Sequence, residues 1–366
     1  MELTVTAPGK LFVSGEYAVT CGAPAVAAAV TRRVACRARR RPGRGILSLA
    51  SGRHACRLRL AEDDPASAPP ELRFAAGAAL VAARTLRLAG CDVEIEIASE
   101  LDARDHKVGL GGSAAVTAAT VAAIHGLAGE DPTGATTRAA RVATGVLAHR
   151  LAQGGGSGAD VVAATVGGLV WTTGLDARDR PRSVGDCAAR VAELPPVAFA
   201  PLALPPGLAV AAVATGRPAA SGPRVARFES RLERADGTAD PVLAAWIAGM
   251  RCATDELAEG CRSGSEARVL AAVAAAGDLL TRLSALIAVP VLTRELRLAC
   301  RAARGRRAAV KPSGAGGGDC AIAVVAETER ADLLRAWARA GLAPLDLDVS
   351  PDGVRVEAPA AEAAHG

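Results

Sequence analysis

Three glycine-rich segments, spread over the whole chain, constrain its fold more than any other feature. They read APGKLFVSGEYAV near the start, KVGLGGSAA in the first half and KPSGAGGGDC near the end. Each contains one of the only three lysines, Lys10, Lys107 and Lys311, whereas arginine occurs forty times and asparagine is absent. Such a composition indicates a GC-rich genome. Because arginine replaces a surface lysine easily but a compact phosphate-binding ammonium poorly, the three lysines indicate phosphate contacts.

The composition narrows the class of protein. The 366 residues predict two domains, and 50% hydrophobic with 22% charged residues is typical of a globular chain. Aromatic residues make up only 2%, so the core must consist of Ala, Val and Leu, and the net charge of +5 does not indicate nucleic-acid binding. Nine cysteines without a C-x-x-C pair favour reduced thiols in a cytoplasm. Neither a secretory signal nor a membrane span is expected.

Hydrophobic patterns predict an α+β chain, with helices on sheets and no regular alternation of strands and helices. Strands are predicted at 3–5 and 11–13, as a hairpin-like start, within 31–60, and at 93–97, 208–214, 321–325, 345–349 and 354–357. Helices are predicted at 72–89, 113–125, 136–151, 331–340 and, approximately, 240–260, 265–287 and 292–304. The proline-rich stretch 195–207 predicts a boundary between domains 1–200 and 201–360, followed by a frayed tail at 361–366.

The second glycine-rich segment leads into a predicted helix, a junction whose free N–H groups and helix dipole attract anions. Ser113 could cap this helix or ligate a metal ion, and a tight loop capped by Ser113 remains the simpler alternative. Gly109, Gly111 and Ala114 match the dinucleotide fingerprint G-x-G-x-x-A, but the preceding strand ends near Ile97, about ten residues too early. A Walker A loop is excluded because no Gly-Lys-Ser/Thr tripeptide exists.

Two further segments are candidates for substrate chemistry. QGGGSGAD ends in Asp160, just before a predicted helix, where a carboxylate could accept a proton from a substrate or simply cap the helix. KPSGAGGGDC carries more glycines than a surface turn needs, which suits a loop that closes around a ligand. A plain connection between a helix and a strand is the alternative for this segment.

Together and in this order, the three segments resemble the motifs of the GHMP kinases, and the resemblance covers essentially the whole chain. Within that superfamily the chain is most similar to the phosphomevalonate kinases. The resemblance implies an amino-terminal ribosomal S5 domain 2-like domain and a carboxy-terminal ferredoxin-like domain, with the active site between them. It also implies a cytoplasmic enzyme of the mevalonate route to isoprenoids, which uses ATP and Mg²⁺ to convert (R)-5-phosphomevalonate to (R)-5-diphosphomevalonate. Its partners would be small molecules, with no nucleic acid or membrane, and it would be a monomer or homodimer.

The resemblance also assigns roles to residues. Asp160 would orient or deprotonate the acceptor, Lys107 would stabilise the transferring phosphoryl group, and Lys10 would lie close to the acceptor and Asp160. Ser113 would ligate Mg²⁺. The residues implied for ATP binding are Gly109, Leu110, Gly111, Gly112, Ser113 and Ala114. The residues implied for substrate binding are Lys10, Ser157, Arg217, Ser221, Lys311, Ser313, Gly314, Gly316 and Asp319.

Some positions depart from the family pattern. Gly112 stands where the motif usually has a first serine, and His149 stands where mevalonate kinase has a metal-ligating glutamate. Ala220 and Ser221 replace a usual Ser-Thr pair. The alternatives are another GHMP kinase, such as mevalonate or homoserine kinase, a non-catalytic homologue that binds ligand and nucleotide, and a dinucleotide-dependent oxidoreductase.

Overall fold

The structure, a computed structural model, describes residues 1–101, 108–175, 180–193, 197–217, 219, 221–232 and 240–358. In this part of the chain, helices pack on two β-sheets, which confirms the α+β class. The strands are β1 (Glu2–Ser14), β2 (Pro24–Pro42), β3 (Ile46–Ser51), β4 (His54–Arg59), β5 (Cys91–Ser99), β6 (Leu169–Thr173), β7 (Phe199–Leu202), β8 (Leu208–Ala214), β9 (Ala308–Pro312), β10 (Cys320–Ala326), β11 (Ala343–Leu345) and β12 (Arg355–Glu357).

The helices follow the predicted pattern closely in both halves of the chain. They are α1 (Arg73–Thr85), α2 (Gly112–Leu127), α3 (Ala135–Gln153), α4 (Ala159–Val166), α5 (Val184–Glu193), α6 (Ser221–Glu229), α7 (Pro241–Arg262), α8 (Glu266–Leu286), α9 (Arg294–Ala302) and α10 (Arg330–Arg339). The sequence patterns did not predict α5 and α6.

The first sheet has the strand order β12-β1-β2-β5-β3-β4, with β6 paired to β2 and β7 paired to β6. All neighbouring strands are antiparallel except β3 and β5, which are parallel. The last strand of the chain, β12, returns to this sheet and pairs with residues 4–6 of β1. The two ends of the described chain are therefore joined through the first sheet.

The prediction of a hairpin at the start of the chain is wrong. Residues 2–14 form one strand that pairs with β2 along its length, and the ladder shifts register between Pro8 and Gly9. The Pro-Gly pair therefore makes an irregularity in the strand and not a turn. At this point the Lys10 N–H donates a 2.7 Å hydrogen bond to the Leu110 carbonyl, so the first glycine-rich segment lies against the second.

The second sheet is antiparallel, in the order β11-β8-β10-β9. Its two central strands, β8 and β10, are almost continuous runs of Ala and Val, because both of their faces are buried. Alternate residues such as Val210 and Ile322 join a cluster that includes Val273 of α8. The intervening residues join a second cluster that includes Leu333 and Trp337 of α10.

The structure does not test two further predictions, the domain boundary near residue 200 and the frayed tail at 361–366. The first sheet includes β7, which ends at Leu202, and the second begins with β8 at Leu208, while the domain division near residue 200 stays a prediction. The tail at 361–366 lies outside the described residues. Helix α8 is long and apolar enough to cross a membrane by length and composition alone, but it packs against α7 and β9. All nine cysteines lie in the described part of the chain and none is in a disulfide.

Candidate active site

The second glycine-rich segment forms the start of α2. Gly109 and Gly111 have φ values of 83° and 77°, in the left-handed region that favours glycine. Gly111 is the N-cap residue of α2, and no side chain caps this helix end. The simpler alternative, in which Ser113 caps this helix, is therefore wrong. The open N–H groups of the first turn and the helix dipole make this end of α2 suitable for a phosphate.

The side chain of Lys10 lies directly beneath Gly111. A Cβ atom built on Gly111 would be 2.7 Å from Lys10 Cε and 2.9 Å from its Cγ. Only 8% of Lys10 is exposed, and its Nζ lies 4.7 Å from the centre of the Phe12 ring. The absence of a side chain at Gly111 thus allows the nearly buried Lys10 side chain to lie under the turn at the start of α2.

Ser113 faces His149 of α3 across the site. Ser113 Oγ and His149 Nε2 are 3.1 Å apart, and the His149 ring stacks on Phe74 with 4.8 Å between ring centres. Burial lowers the pKa of His149, while the Asp160 carboxylate raises it and the Lys10 ammonium lowers it further. Ser113 contacts His149, and the charges of Lys10 and Asp160 both act on the same imidazole, so these residues lie on one side of the α2–α3 packing.

Asp160 is the second residue of α4, whose N-cap is Gly158. Its Oδ1 accepts a 3.0 Å hydrogen bond from the Val161 N–H, so it stabilises the first turn without being the N-cap. Within the described residues its Oδ2 has no hydrogen-bond partner, and the residue is only partly buried. This leaves one carboxylate oxygen for a substrate. Ser157, by contrast, is almost buried, and its Oγ accepts the Ala159 N–H at 3.3 Å.

The third glycine-rich segment packs on the second. Asp319 has a φ of 52°, and a Cβ atom on Gly109 would lie 2.5 Å from the Asp319 Cβ. The Asp319 Oδ1 accepts the Ala219 N–H at 2.8 Å, which ties the loop to the segment before α6. Gly314 and Gly316 also have positive φ values, of 80° and 66°. All three glycine-rich segments therefore meet at one place, as their resemblance to a single active site implies.

Lys311 and Ser313, which were expected to bind substrate, form hydrogen bonds with other groups of the protein instead. Lys311 is completely buried; its Nζ donates to Glu16 Oε1 and to the carbonyls of Phe12 and Pro312. Burial lowers the pKa of Lys311, and the Glu16 carboxylate opposes this change. Ser313 Oγ accepts the Phe12 N–H at 2.8 Å. In this structure Lys311 offers no ammonium surface to a ligand, which differs from the expected contact.

Other predicted positions lie at the edge of the site. Arg217 is 69% exposed in its side chain and forms a 3.4 Å ion pair with Glu295. Ser221 is the exposed first residue of α6. Lys107 lies outside the described residues. Their roles in substrate and phosphoryl binding therefore stay predictions.

Residues near the third loop that the sequence did not single out are Arg224, Glu16 and Tyr17. A Cβ atom on Gly317 would lie 2.0 Å from the Arg224 guanidinium carbon, so this cation lies directly against the glycine-rich loop. The Tyr17 hydroxyl donates a 2.6 Å hydrogen bond to the Ala315 carbonyl. Arg224 could not be recognised among forty arginines, whereas the segment SGEYAV offered a signal for Glu16 and Tyr17 because it adjoins the first glycine-rich motif.

The donors at the site suit Mg²⁺ only in part. In the described ranges no three His, Cys, Asp or Glu side chains could together hold a metal ion. Mg²⁺ commonly takes one or two protein oxygens and completes its shell with phosphates and water. The Ser113 hydroxyl and the Asp160 carboxylate are oxygen donors of that kind, so these residues fit an ion that arrives with a nucleotide and not a protein-only metal site.

Replacing Gly111 by alanine tests the close packing of Lys10 under the turn. The new Cβ would be 2.7 Å from Lys10 Cε, and alanine at this position would have to adopt the left-handed φ of 77° that glycine has there. We expect Gly111→Ala to lose about 1–2 kcal/mol of unfolding free energy, from the left-handed conformation alone, and to lower kcat by displacing Lys10. Gly112→Ala is the matched stability control, since no atom lies within 4 Å of its added methyl group. Equal unfolding free energies for the two variants, measured with denaturant, would refute this packing.

Two family models and a relative of similar length match this chain. Residues 73–168 match the family model of the GHMP kinases N terminal domain, and residues 267–342 match that of the GHMP kinases C terminal. A phosphomevalonate kinase of Streptomyces sp. (strain CL190) is 32% identical over 372 residues, which cover 95% of this chain and 97% of the relative.

Solved structures show the same fold. A Lin0012 protein from Listeria innocua is 23% identical, with a TM-score of 0.84 over 98% of this chain and 99% of the other. Streptococcus pneumoniae phosphomevalonate kinase, in complex with phosphomevalonate and AMPPNP, is 21% identical with a TM-score of 0.74, over 94% and 99% of the two chains. A Methanococcus jannaschii mevalonate kinase is 16% identical with a TM-score of 0.69, over 95% and 98%.

Proposed function

The chain belongs to the GHMP kinases and is a phosphotransferase, and from that premise we propose that it transfers the γ-phosphoryl group of ATP to (R)-5-phosphomevalonate. The products would be (R)-5-diphosphomevalonate and ADP. The observation that carries the proposal is the start of α2, where Lys10 lies beneath Gly111 and Ser113 contacts His149. The identity of the acceptor is supported by the named relative, which matches nearly the whole chain.

The proposed reaction needs positioning and charge neutralisation more than covalent chemistry. The N–H groups at the start of α2 would bind the nucleotide phosphates, and the Lys10 ammonium beneath Gly111 would face the transferring group. Ser113 and Asp160 would hold Mg²⁺, which neutralises phosphate charge when bound. Lys107, to which the resemblance assigns a role on the same phosphoryl group, keeps that proposed role.

Asp160 has a particular part in this proposal, because the acceptor atom is a phosphate oxygen. A phosphate monoester has a second pKa of about 6, so at neutral pH the acceptor is largely a dianion and has little need of a base. We therefore assign Asp160 the orienting role rather than the removal of a proton. Its Oδ2, which has no partner among the described residues, would accept a hydrogen bond from the acceptor molecule while its charge holds Lys10 in place.

The remaining parts of the proposal follow from the same reaction. The enzyme would act in the cytoplasm, on small molecules alone, within the mevalonate route to isoprenoids. His149, in place of a metal-ligating glutamate, supports phosphomevalonate over mevalonate as the acceptor. Monomer and homodimer both remain compatible with the proposal.

A substrate panel tests the acceptor. With ATP and Mg²⁺, we expect kcat/KM for phosphomevalonate to exceed that for mevalonate by several orders of magnitude. A site that binds two phosphate-bearing molecules holds its cations for both of them, and an acceptor without its phosphate leaves part of that charge uncompensated. Release of ADP is measured with phosphomevalonate, mevalonate and homoserine in turn. Comparable values for the first two would contradict the proposed acceptor, and nucleotide binding without ADP release would favour a non-catalytic homologue.

A further inference from the structure

A buried ion pair joins the two sheets beside the candidate active site. Glu16 follows the end of β1, and Lys311 lies in β9; 2% and 0% of these residues are exposed. The Lys311 ammonium donates to Glu16 Oε1, to the Pro312 carbonyl at 2.8 Å and to the Phe12 carbonyl at 3.3 Å. All three donors of the ammonium are thus used within the protein.

Two further contacts connect the same segments. The Phe12 N–H donates to Ser313 Oγ at 2.8 Å, and the Tyr17 hydroxyl donates to the Ala315 carbonyl at 2.6 Å. Segment 12–17 is therefore held along its length by segment 311–315, from a distant part of the chain. Phe12 is two residues from Lys10, and Ala315 lies among the glycines of the third loop.

The buried ion pair contributes little net stability to the fold, because burying the two charges costs desolvation free energy. Two charges have been removed from water, and Glu16 Oε2 has no hydrogen-bond partner among the described residues. Apolar side chains of similar volume commonly replace such a pair without loss of stability, whereas removal of one partner leaves an uncompensated charge. What the pair supplies is a fixed distance between the backbone after Lys10 and the strand before the third loop.

We propose that Glu16 and Lys311 are positioning residues for the kinase reaction, which hold the strand that carries Lys10 at a fixed place against the third glycine-rich loop. Lys10 lies under the nucleotide turn, and the third loop packs on Gly109 through Asp319. A shift of β1 against β9 would therefore move the Lys10 ammonium relative to both loops. A displacement of about 1 Å at a reacting centre can cost roughly 10²-fold in rate.

The test separates the position of the strand from the stability of the fold. Glu16→Gln, Lys311→Met and the double variant Glu16→Met with Lys311→Met are compared with the wild type in melting temperature, kcat and both KM values. The double variant is expected to melt above either single variant, because no unpaired charge remains. Its kcat is expected to stay about 10²-fold below the wild type, with the KM for ATP little changed. A double variant with wild-type kcat would overturn the proposal.

Two control variants show the effects of losing core packing and of losing an exposed ion pair. Leu333→Ala opens a cavity in the cluster between the second sheet and α10, and it should lower the melting temperature without lowering kcat. Glu256→Gln with Arg268→Met removes an exposed 2.6 Å ion pair between α7 and α8, and it should change neither quantity. If the double variant of the buried pair does not fold, Tyr17→Phe with Ser313→Ala removes the two neighbouring hydrogen bonds instead. An unchanged kcat in that folded variant would also overturn the proposal.

The inference rests on the proposed kinase function, so a readout independent of turnover is included. Hydrogen exchange of the 8–17 and 311–319 peptides should accelerate in the buried-pair double variant, while that of β8 stays protected. Unchanged protection in both peptides would refute the positioning role, whichever acceptor the enzyme uses. Absent turnover of phosphomevalonate by the wild type would refute the proposed function, while accelerated exchange would still support the positioning role.

Discussion

Asp160→Asn is expected to lower kcat by at least about 10²-fold, because the acceptor loses its orienting contact, while the protein remains folded and binds ATP. Asparagine keeps the shape of the side chain but removes the charge that the His149 site feels, and its amide cannot offer the same two acceptor oxygens. The turn at Gly111 belongs to a different helix, so its proposed contacts with nucleotide phosphate should survive. Steady-state kinetics, the affinity for a non-hydrolysable ATP analogue and the melting temperature are measured together.

A matched control for this variant is Asp186→Asn. Asp186 is also a carboxylate in the first turn of a helix, α5, and it accepts a 2.8 Å hydrogen bond from the Arg182 N–H. Both variants lose a similar helix-dipole contribution, of about 0.3–1 kcal/mol. Only Asp160→Asn should lose activity. A near-wild-type kcat in Asp160→Asn would reduce Asp160 to a residue that stabilises α4.

The pH dependence distinguishes two roles for Asp160. If it orients the acceptor, the loss in Asp160→Asn should stay the same as the pH falls from about 8 through about 6, because protonation of the phosphate slows the wild type and the variant alike. If it removes a proton from the acceptor, the loss should instead grow as the pH falls through about 6, because more acceptor is then protonated. We expect the first result.

Local sequence signals predicted much of the site. The glycines at 109 and 111 have left-handed φ values, and the Ala-rich run after them is α2, as the sequence indicated. Asp160 likewise lies in the first turn of a helix. These features depend on residues within one or two turns of each other, so local patterns were sufficient. The same holds for β8, whose bounds agree with the prediction at both ends.

Features that depend on distant residues were not predictable. The composition indicated that Lys311 must be a lysine, and a phosphate was the assumed reason. The structure shows a second reason, because Lys311 pairs with Glu16, which lies 295 residues earlier. The Lys311 ammonium directs its three donors at Glu16 Oε1 and the carbonyls of Phe12 and Pro312, and a planar guanidinium could not direct its donors at the same three acceptors. The first half of KPSGAGGGDC was also taken for a loop, although Lys311 and Pro312 end strand β9 beside β10.

His149 is a second residue whose tertiary contacts could not be predicted, although its position in the sequence had been noticed. Its place in the chain marked it as a departure from a metal-ligating glutamate, but its contacts with Ser113 and Phe74 required the packing of α3 on α1 and α2. The sequence therefore indicated that position 149 is unusual. Only the tertiary structure shows its contacts with Ser113 and Phe74 and the burial that lowers its pKa.

Lys10→Arg preserves the charge, yet we expect it to lower kcat by at least about 10²-fold. The Lys10 stem fills the space under Gly111 and only 8% of the residue is exposed, so a longer, planar guanidinium cannot place its charge where the ammonium lies. Lys107→Arg is expected to behave in the same way, from the sequence alone. The measurements are kcat, KM for both substrates and the melting temperature, with Lys10→Met included to separate loss of charge from loss of fit.

The reverse exchange at an exposed site is the control for this experiment. Arg37→Lys lies on β2, where the side chain is 63% exposed and pairs with Glu2, so it should change stability by no more than about 0.5 kcal/mol and leave kcat unchanged. Lys10→Arg tests whether the rarity of lysine identifies positions where only an ammonium fits. If Lys10→Arg and Lys107→Arg both retain wild-type kcat, the composition argument fails for phosphate binding. Lys311 would then be the one lysine whose retention has a physical reason, the buried pair with Glu16.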